Sequence, residues 1–149
     1  GQGMGPASLR ALFALPLTAI DTAASGGTNF SKLELLRNTP ASQESYMPVA
    51  RLGHSAEEMT NFINEIVADP TAEINCRQVI ISGGVKNFLD GYYLTQRTQL
   101  PAIYGMASGF LKYAQADYET LAEFVSGQIR GLELAQAFLQ LKRRKNSNF

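Results

Sequence analysis

The residues able to do chemistry in this chain gather in three glycine-rich stretches. In Ile81-Ser82-Gly83-Gly84-Val85-Lys86-Asn87 an apolar run ends in two glycines and leads into a helical pattern. Glycine lets an anion such as phosphate come close to the backbone. A helix start adds unpaired amide protons and the positive end of the helix dipole. Lys86 supplies a positive charge beside them. About twenty residues on, Gly105-Met106-Ala107-Ser108-Gly109 repeats the design. Each stretch taken singly also reads as a tight strand-to-helix turn that needs glycine. The third is Ser25-Gly26-Gly27-Thr28-Asn29-Phe30, where Thr28 can hydrogen-bond a flat heterocycle or a polyol chain, or cap the helix that follows.

The other reactive side chains stand apart. His54 is the single histidine and sits in a loop before a helix cap. One histidine makes no metal site by itself, so His54 reads as a surface or packing residue. Cys76, the single cysteine, reads as a small buried hydrophobe rather than a nucleophile, with no histidine to pair with it. Asp21, inside a strand pattern, reads equally as structural or as an acid lining a site. Asp90 falls in the first turn of a helix, where negative charge suits the dipole. No catalytic residue and no metal ligand is assigned on these grounds.

Short strands and helices must position these stretches. Pro6 starts a helix carrying Leu9, Leu12 and Phe13, and Pro16 stops it. A strand is predicted near Ala19–Thr22, ending at Ser25-Gly26-Gly27. Residues 30–37 suit a helical turn or two. Residues 38–53 are polar, hold two prolines and show no period, so a loop of about fifteen residues is expected there. Ser55 and Glu58 form a capping box ahead of Met59, Phe62, Ile63, Ile66 and Val67, one face of a helix that Asp69-Pro70 ends. Gln78–Ser82 is a second strand, apolar on both faces as buried parallel strands are. A helix over about 87–97, a strand over 102–106 and a helix through Phe110, Leu111 and Tyr113 follow. A long last helix is predicted from Tyr118 to Lys142, its stripe running Leu121, Phe124, Val125, Ile129, Leu132, Ala135, Phe138 and Leu139. Strands alternating with helices predict right-handed βαβ units and a parallel sheet, so the fold class is α/β.

Composition narrows the partners. At 149 residues the chain makes one domain with a real core. It is 45% hydrophobic and only 17% charged, which argues against disorder and for surface that is meant to be covered. The formal net charge is zero, so there is no overall field to hold nucleic acid or an anionic membrane. No apolar run approaches a membrane span. Gly1 is not a natural start, and no basic segment leads into an apolar one, so no signal peptide is expected. Lys142-Arg143-Arg144-Lys145 suits a helix end, with residues 143–149 as a frayed tail.

Two glycine turns at neighbouring strand ends match the phosphate site that (β/α)8 barrels build after strands seven and eight. The wider set of motifs resembles the type 2, flavin-dependent isopentenyl-diphosphate isomerases over nearly the whole chain, Gly1 to about Lys142. It comprises Gly1-Gln2-Gly3-Met4-Gly5, Ala19-Ile20-Asp21 with Gly26–Phe30, Glu34 and Arg37, then Ile81–Asn87 with Leu89-Asp90, and Tyr104–Ala107 with Phe110-Leu111. The resemblance implies the C-terminal part of an FMN-binding TIM barrel, here about three parallel βα units. It implies that FMN is held by Thr28, Gly83, Gly84, Val85, Lys86, Ala107 and Ser108. The family converts isopentenyl diphosphate to dimethylallyl diphosphate with reduced FMN as acid/base, Mg2+ on the diphosphate and NADPH as reductant, in the cytoplasm. Two positions depart from its pattern. Lys86 stands where the family usually has arginine, so a bidentate fork becomes a point charge. Ser108 stands where it usually has glycine. Eight βα units need roughly 200 residues or more. The resemblance therefore implies a half-barrel inactive alone, completed by an N-terminal half or by self-association. Other readings are another FMN-dependent barrel, such as a hydroxy-acid oxidase, or a non-catalytic interaction module.

Overall fold

The computed structural model describes residues 1–142. The tail expected at 143–149, and all of the basic cluster except Lys142, lie outside them. The elements run α1 (Pro6–Phe13), β1 (Ile20–Asp21), α2 (Phe30–Leu35), α3 (Pro40–Tyr46), a 3-10 turn (Met47–Arg51), α4 (Ala56–Ala68), β2 (Val79–Ile81), α5 (Phe88–Arg97), β3 (Ala102–Tyr104), α6 (Ser108–Ala114) and α7 (Tyr118–Phe138). The three strands form one parallel sheet in the order β1-β2-β3, so the fold is α/β.

Register explains how the core is built. Ile20 and Val79 lie in one row with Ala102, and Ile81 is level with Tyr104. These side chains meet Leu9 and Phe13 of α1, Met59, Ile63 and Ile66 of α4, and Leu94 of α5 in one cluster. The alternate row is Asp21, Ile80 and Ile103. Asp21 is exposed, Ile80 half-buried and Ile103 65% exposed. The helices of the core therefore cover one face of the sheet. The expectation that β2 is buried on both faces fails at Ile80, because no helix among the described residues packs over that side.

Local signals place the elements. The Ser55–Glu58 capping box is present in both directions. Asp69 ends α4 and receives the Arg10 guanidinium from α1. The Thr71 hydroxyl and amide, then Arg10, hold the Asp69 carboxyl down to about 2. Cys76 is fully buried, as expected.

Two further expectations need correction. The predicted loop at 38–53 is instead α3 and the 3-10 turn. Thr39 caps α3 and Pro40 opens it, a start signal masked by the lack of an apolar stripe: no residue of α2, α3 or the turn is buried. The last helix stops at Phe138 rather than Lys142, and its packed seam is not the full apolar stripe. Ile129 (54%) and Phe138 (78%) are exposed, while Gly131 and Ala135 are buried. Small residues decide the seam because they let α5 approach: a Cβ at Gly131 would sit 2.5 Å from the Phe88 ring. Tyr92 of α5 donates to the Leu139 carbonyl at 2.6 Å. Among the described residues no helix is long and apolar enough to cross a membrane.

Candidate ligand cleft at the strand ends

The C-terminal ends of the three strands surround an open cleft of about 1130 Å³. β1 and β2 stay paired past their formal ends. Thr22 donates its amide to the Ile80 carbonyl at 2.9 Å, and Ala24 donates to the Ser82 carbonyl at 2.8 Å. The Thr22 side chain, fully buried, continues the ladder: its hydroxyl donates to the Ser82 carbonyl and accepts from the Ser82 amide, both at 3.0 Å. Asp21 then accepts from the Ser82 hydroxyl and, at 2.9 Å, from the Ala23 amide. Ala23 has φ 42°, the only left-handed non-glycine among the described residues.

The cleft has a polar rim and an apolar wall. Its rim includes Thr28, Ser82, Gly83, Gly84, Ala107 and Ser108, with Val85 beside them. Phe30 and Met106 flank it, and Phe110, Leu111, Leu121 and Val125 form the wall between α6 and α7. Six of the seven residues expected from the sequence to hold FMN are thus brought together. The seventh, Lys86, is not. It is exposed and lines a second hollow of about 500 Å³ between the starts of α4 and α5, on the far side of Gly83 and Gly84. No charged side chain lines the larger cleft among the described residues.

The two helix starts differ in what they can offer an anion. Asn87 caps α5, accepting from the Leu89 and Asp90 amides at 2.9 and 3.0 Å. Asp90 accepts from the Lys86 amide at 3.0 Å, so its role is local, as its first-turn position suggests. These three amides are spent within the protein. No intramolecular partner is found for the Gly84 and Val85 amides among the described residues. α6 starts at Ser108 with no side-chain cap.

His54 stacks edge-on against Phe62, 5.0 Å between ring centres, and does not line the cleft. Tyr104 packs on the core face over Gly91, and burial pushes its phenol pKa up. No three metal-ligating side chains come together among the described residues. The apolar wall went unread in the sequence. Its signal is the pair Phe110–Phe124 and Tyr113–Phe124, whose ring contacts at 5.4 and 4.2 Å bind α6 to α7 and leave the Leu111, Leu121 and Val125 side turned to the cleft. Searches of protein-family models and of curated proteins find no match to this chain.

Proposed function

We propose that this chain is the phosphate-holding part of an FMN-dependent (β/α)8 isomerase of the type 2 isopentenyl-diphosphate kind. The observation that carries this reading is one cleft at the C-terminal edge of a parallel sheet, gathering Thr28, Gly83, Gly84, Val85, Ala107 and Ser108 from three strand ends. Ligands of parallel α/β folds bind at that edge. Sequential strand order with the core helices on one face supports barrel winding, since doubly wound sheets reverse order and cover both faces.

The residues suit the group in kind. The Gly84 and Val85 amides and the uncapped start of α6 would hold the phosphate, and the Thr28 hydroxyl would meet the polyol or ring. Phe30, Met106 and Leu111 would exclude water along the apolar part. When bound, reduced flavin would supply the acid and base that move a proton across the allylic system of isopentenyl diphosphate to give dimethylallyl diphosphate. Mg2+ and NADPH find no dedicated residues here, so no step is drawn through them. A hydroxy-acid oxidase usually brings a catalytic His-Arg pair. That reading ranks second because the single histidine, His54, has no arginine beside it in sequence and does not line the cleft.

Completion by further βα units is part of the proposal, in a cytoplasmic protein. The chain exposes 10353 Å², where a compact monomer of its mass would expose about 7,450 Å². Allowing residues 143–149 full extended-chain exposure of about 1,300 Å² still leaves roughly 1,600 Å², twice the share of one partner in a standard interface. Ile103 on the open face of the sheet and Phe30, Leu33 and Tyr46 of α2 and α3 are among the exposed large apolar residues. Turnover by the isolated chain is therefore not expected. The test is fluorescence titration of FMN against riboflavin. Saturable quenching of FMN, competed away by inorganic phosphate and much weaker for riboflavin, supports the reading. Equal binding of the two flavins, or none, overturns it.

A further inference from the structure

We infer that Asp21 is a positioning residue of the cleft: it takes the one hydroxyl proton of Ser82, so that Ser82 faces the ligand as a pure hydrogen-bond acceptor. The inference rests on the flavin reading above and deepens it. The Ser82 hydroxyl donates to the Asp21 carboxylate, so the proton in that bond belongs to the serine. A hydroxyl holds one proton and two lone pairs. With the proton committed, Ser82 repels a phosphate oxygen and accepts from an uncharged O–H or N–H of the ligand. Asp21 does not line the cleft, whereas Ser82 and Ala23 do, and the same carboxylate oxygen holds both. One side chain therefore sets the polarity of one wall and the left-handed turn of the other.

The arrangement sorts the ligand's groups along the cleft. Phosphate belongs at the amides of Gly84 and Val85, and a donor group belongs two residues back from Gly84, over Ser82. In FMN the group adjoining the phosphate is the ribityl chain, so Ser82 takes a ribityl hydroxyl.

The test compares FMN with a flavin phosphate whose ribityl chain is replaced by an unsubstituted pentyl chain. The wild-type chain is expected to prefer FMN by about ten-fold, the worth of one good hydrogen bond. Asp21→Ala removes the acceptor and frees the serine's proton to turn to the cleft. Ser82→Ala should lose most of the preference while binding the deoxy flavin as the wild type does, and Asp21→Ala, whose unfixed serine can still pair with a ribityl hydroxyl, should lose a smaller part of it. General loosening of the site would weaken both flavins alike and leave the ratio unchanged; that result overturns the inference. A second measurement needs no flavin. In urea unfolding of Asp21→Ala, Ser82→Ala and the double variant, the clasp predicts that the double loss falls short of the product of the single losses by about five-fold. Additive losses overturn the clasp. If wild type binds neither flavin, the flavin reading and the ribityl assignment fall together, and this cycle alone decides whether Asp21 holds Ser82.

Discussion

The two glycine turns look alike in sequence and differ in what their glycines face. At the β2–α5 turn, Gly83 and Gly84 have φ of 87° and 75°. A Cβ on Gly83 would lie 1.9 Å from the Ala24 carbonyl oxygen, and one on Gly84 would lie 2.7 Å from that of Ser25. The first turn is glycine because another backbone lies against it. At the β3–α6 turn, a Cβ on Gly105 would meet only Ser82 Cβ at 3.6 Å, an ordinary contact. The first turn also closes its helix start with Asn87, while the second has no side-chain cap. The same motif is fixed by the fold in one place and left open towards the cleft in the other.

The largest effect that tests this contrast is at Gly83. Gly83→Ala combines a left-handed backbone with an impossible overlap, and should destabilise the chain by about 3–5 kcal/mol in urea unfolding. A loss below about 1 kcal/mol would mean that the β1 and β2 ends do not touch as described. Asn87→Ala should cost about 1 kcal/mol of stability through the lost cap. It should leave FMN affinity unchanged, because neither Leu89 nor Asp90, whose amides it frees, lines the cleft. Gly105→Ala reverses the pattern: unfolding changes by less than about 0.5 kcal/mol, as for a tolerated substitution without strain, while FMN binds several-fold more weakly because the methyl enters the cleft.

Much of this could be read before the structure. Periodicity and capping chemistry are local, so α1 and α4 follow directly from Pro6 and the Ser55–Glu58 box, and α5 lies within the helix expected over about 87–97. The parallel order follows from strands alternating with helices. What escaped depends on distant neighbours. The α7 seam is set by Gly131 against Phe88, which no helical stripe reveals. Thr39-Pro40 started a helix whose apolar residues stay exposed, so the pattern that normally announces a helix was missing. Candidate site residues were legible as glycine-rich strand ends, but not the face each side chain takes. Lys86 shows the limit, since one residue past Val85 the chain has already turned away from the cleft.

Lys86 therefore gives the smallest and sharpest test. From its sequence neighbours alone it should contribute a charge-assisted hydrogen bond to the phosphate, roughly 1–2 kcal/mol. In the fold it lies across the Gly83–Gly84 backbone from the cleft, exposed and beside Asp90 and Glu57 in the second hollow. A solvated charge on that side acts on the cleft only through water, where screening leaves a few tenths of a kcal/mol. Lys86→Ala should thus change FMN affinity by less than about two-fold, and what change there is should vanish in high salt. A loss of ten-fold or more, persisting in salt, would put the phosphate on the α5 side of the turn. The ligand would then use the face of the β2–α5 turn opposite the cleft, with the open β3–α6 turn serving only as a connection.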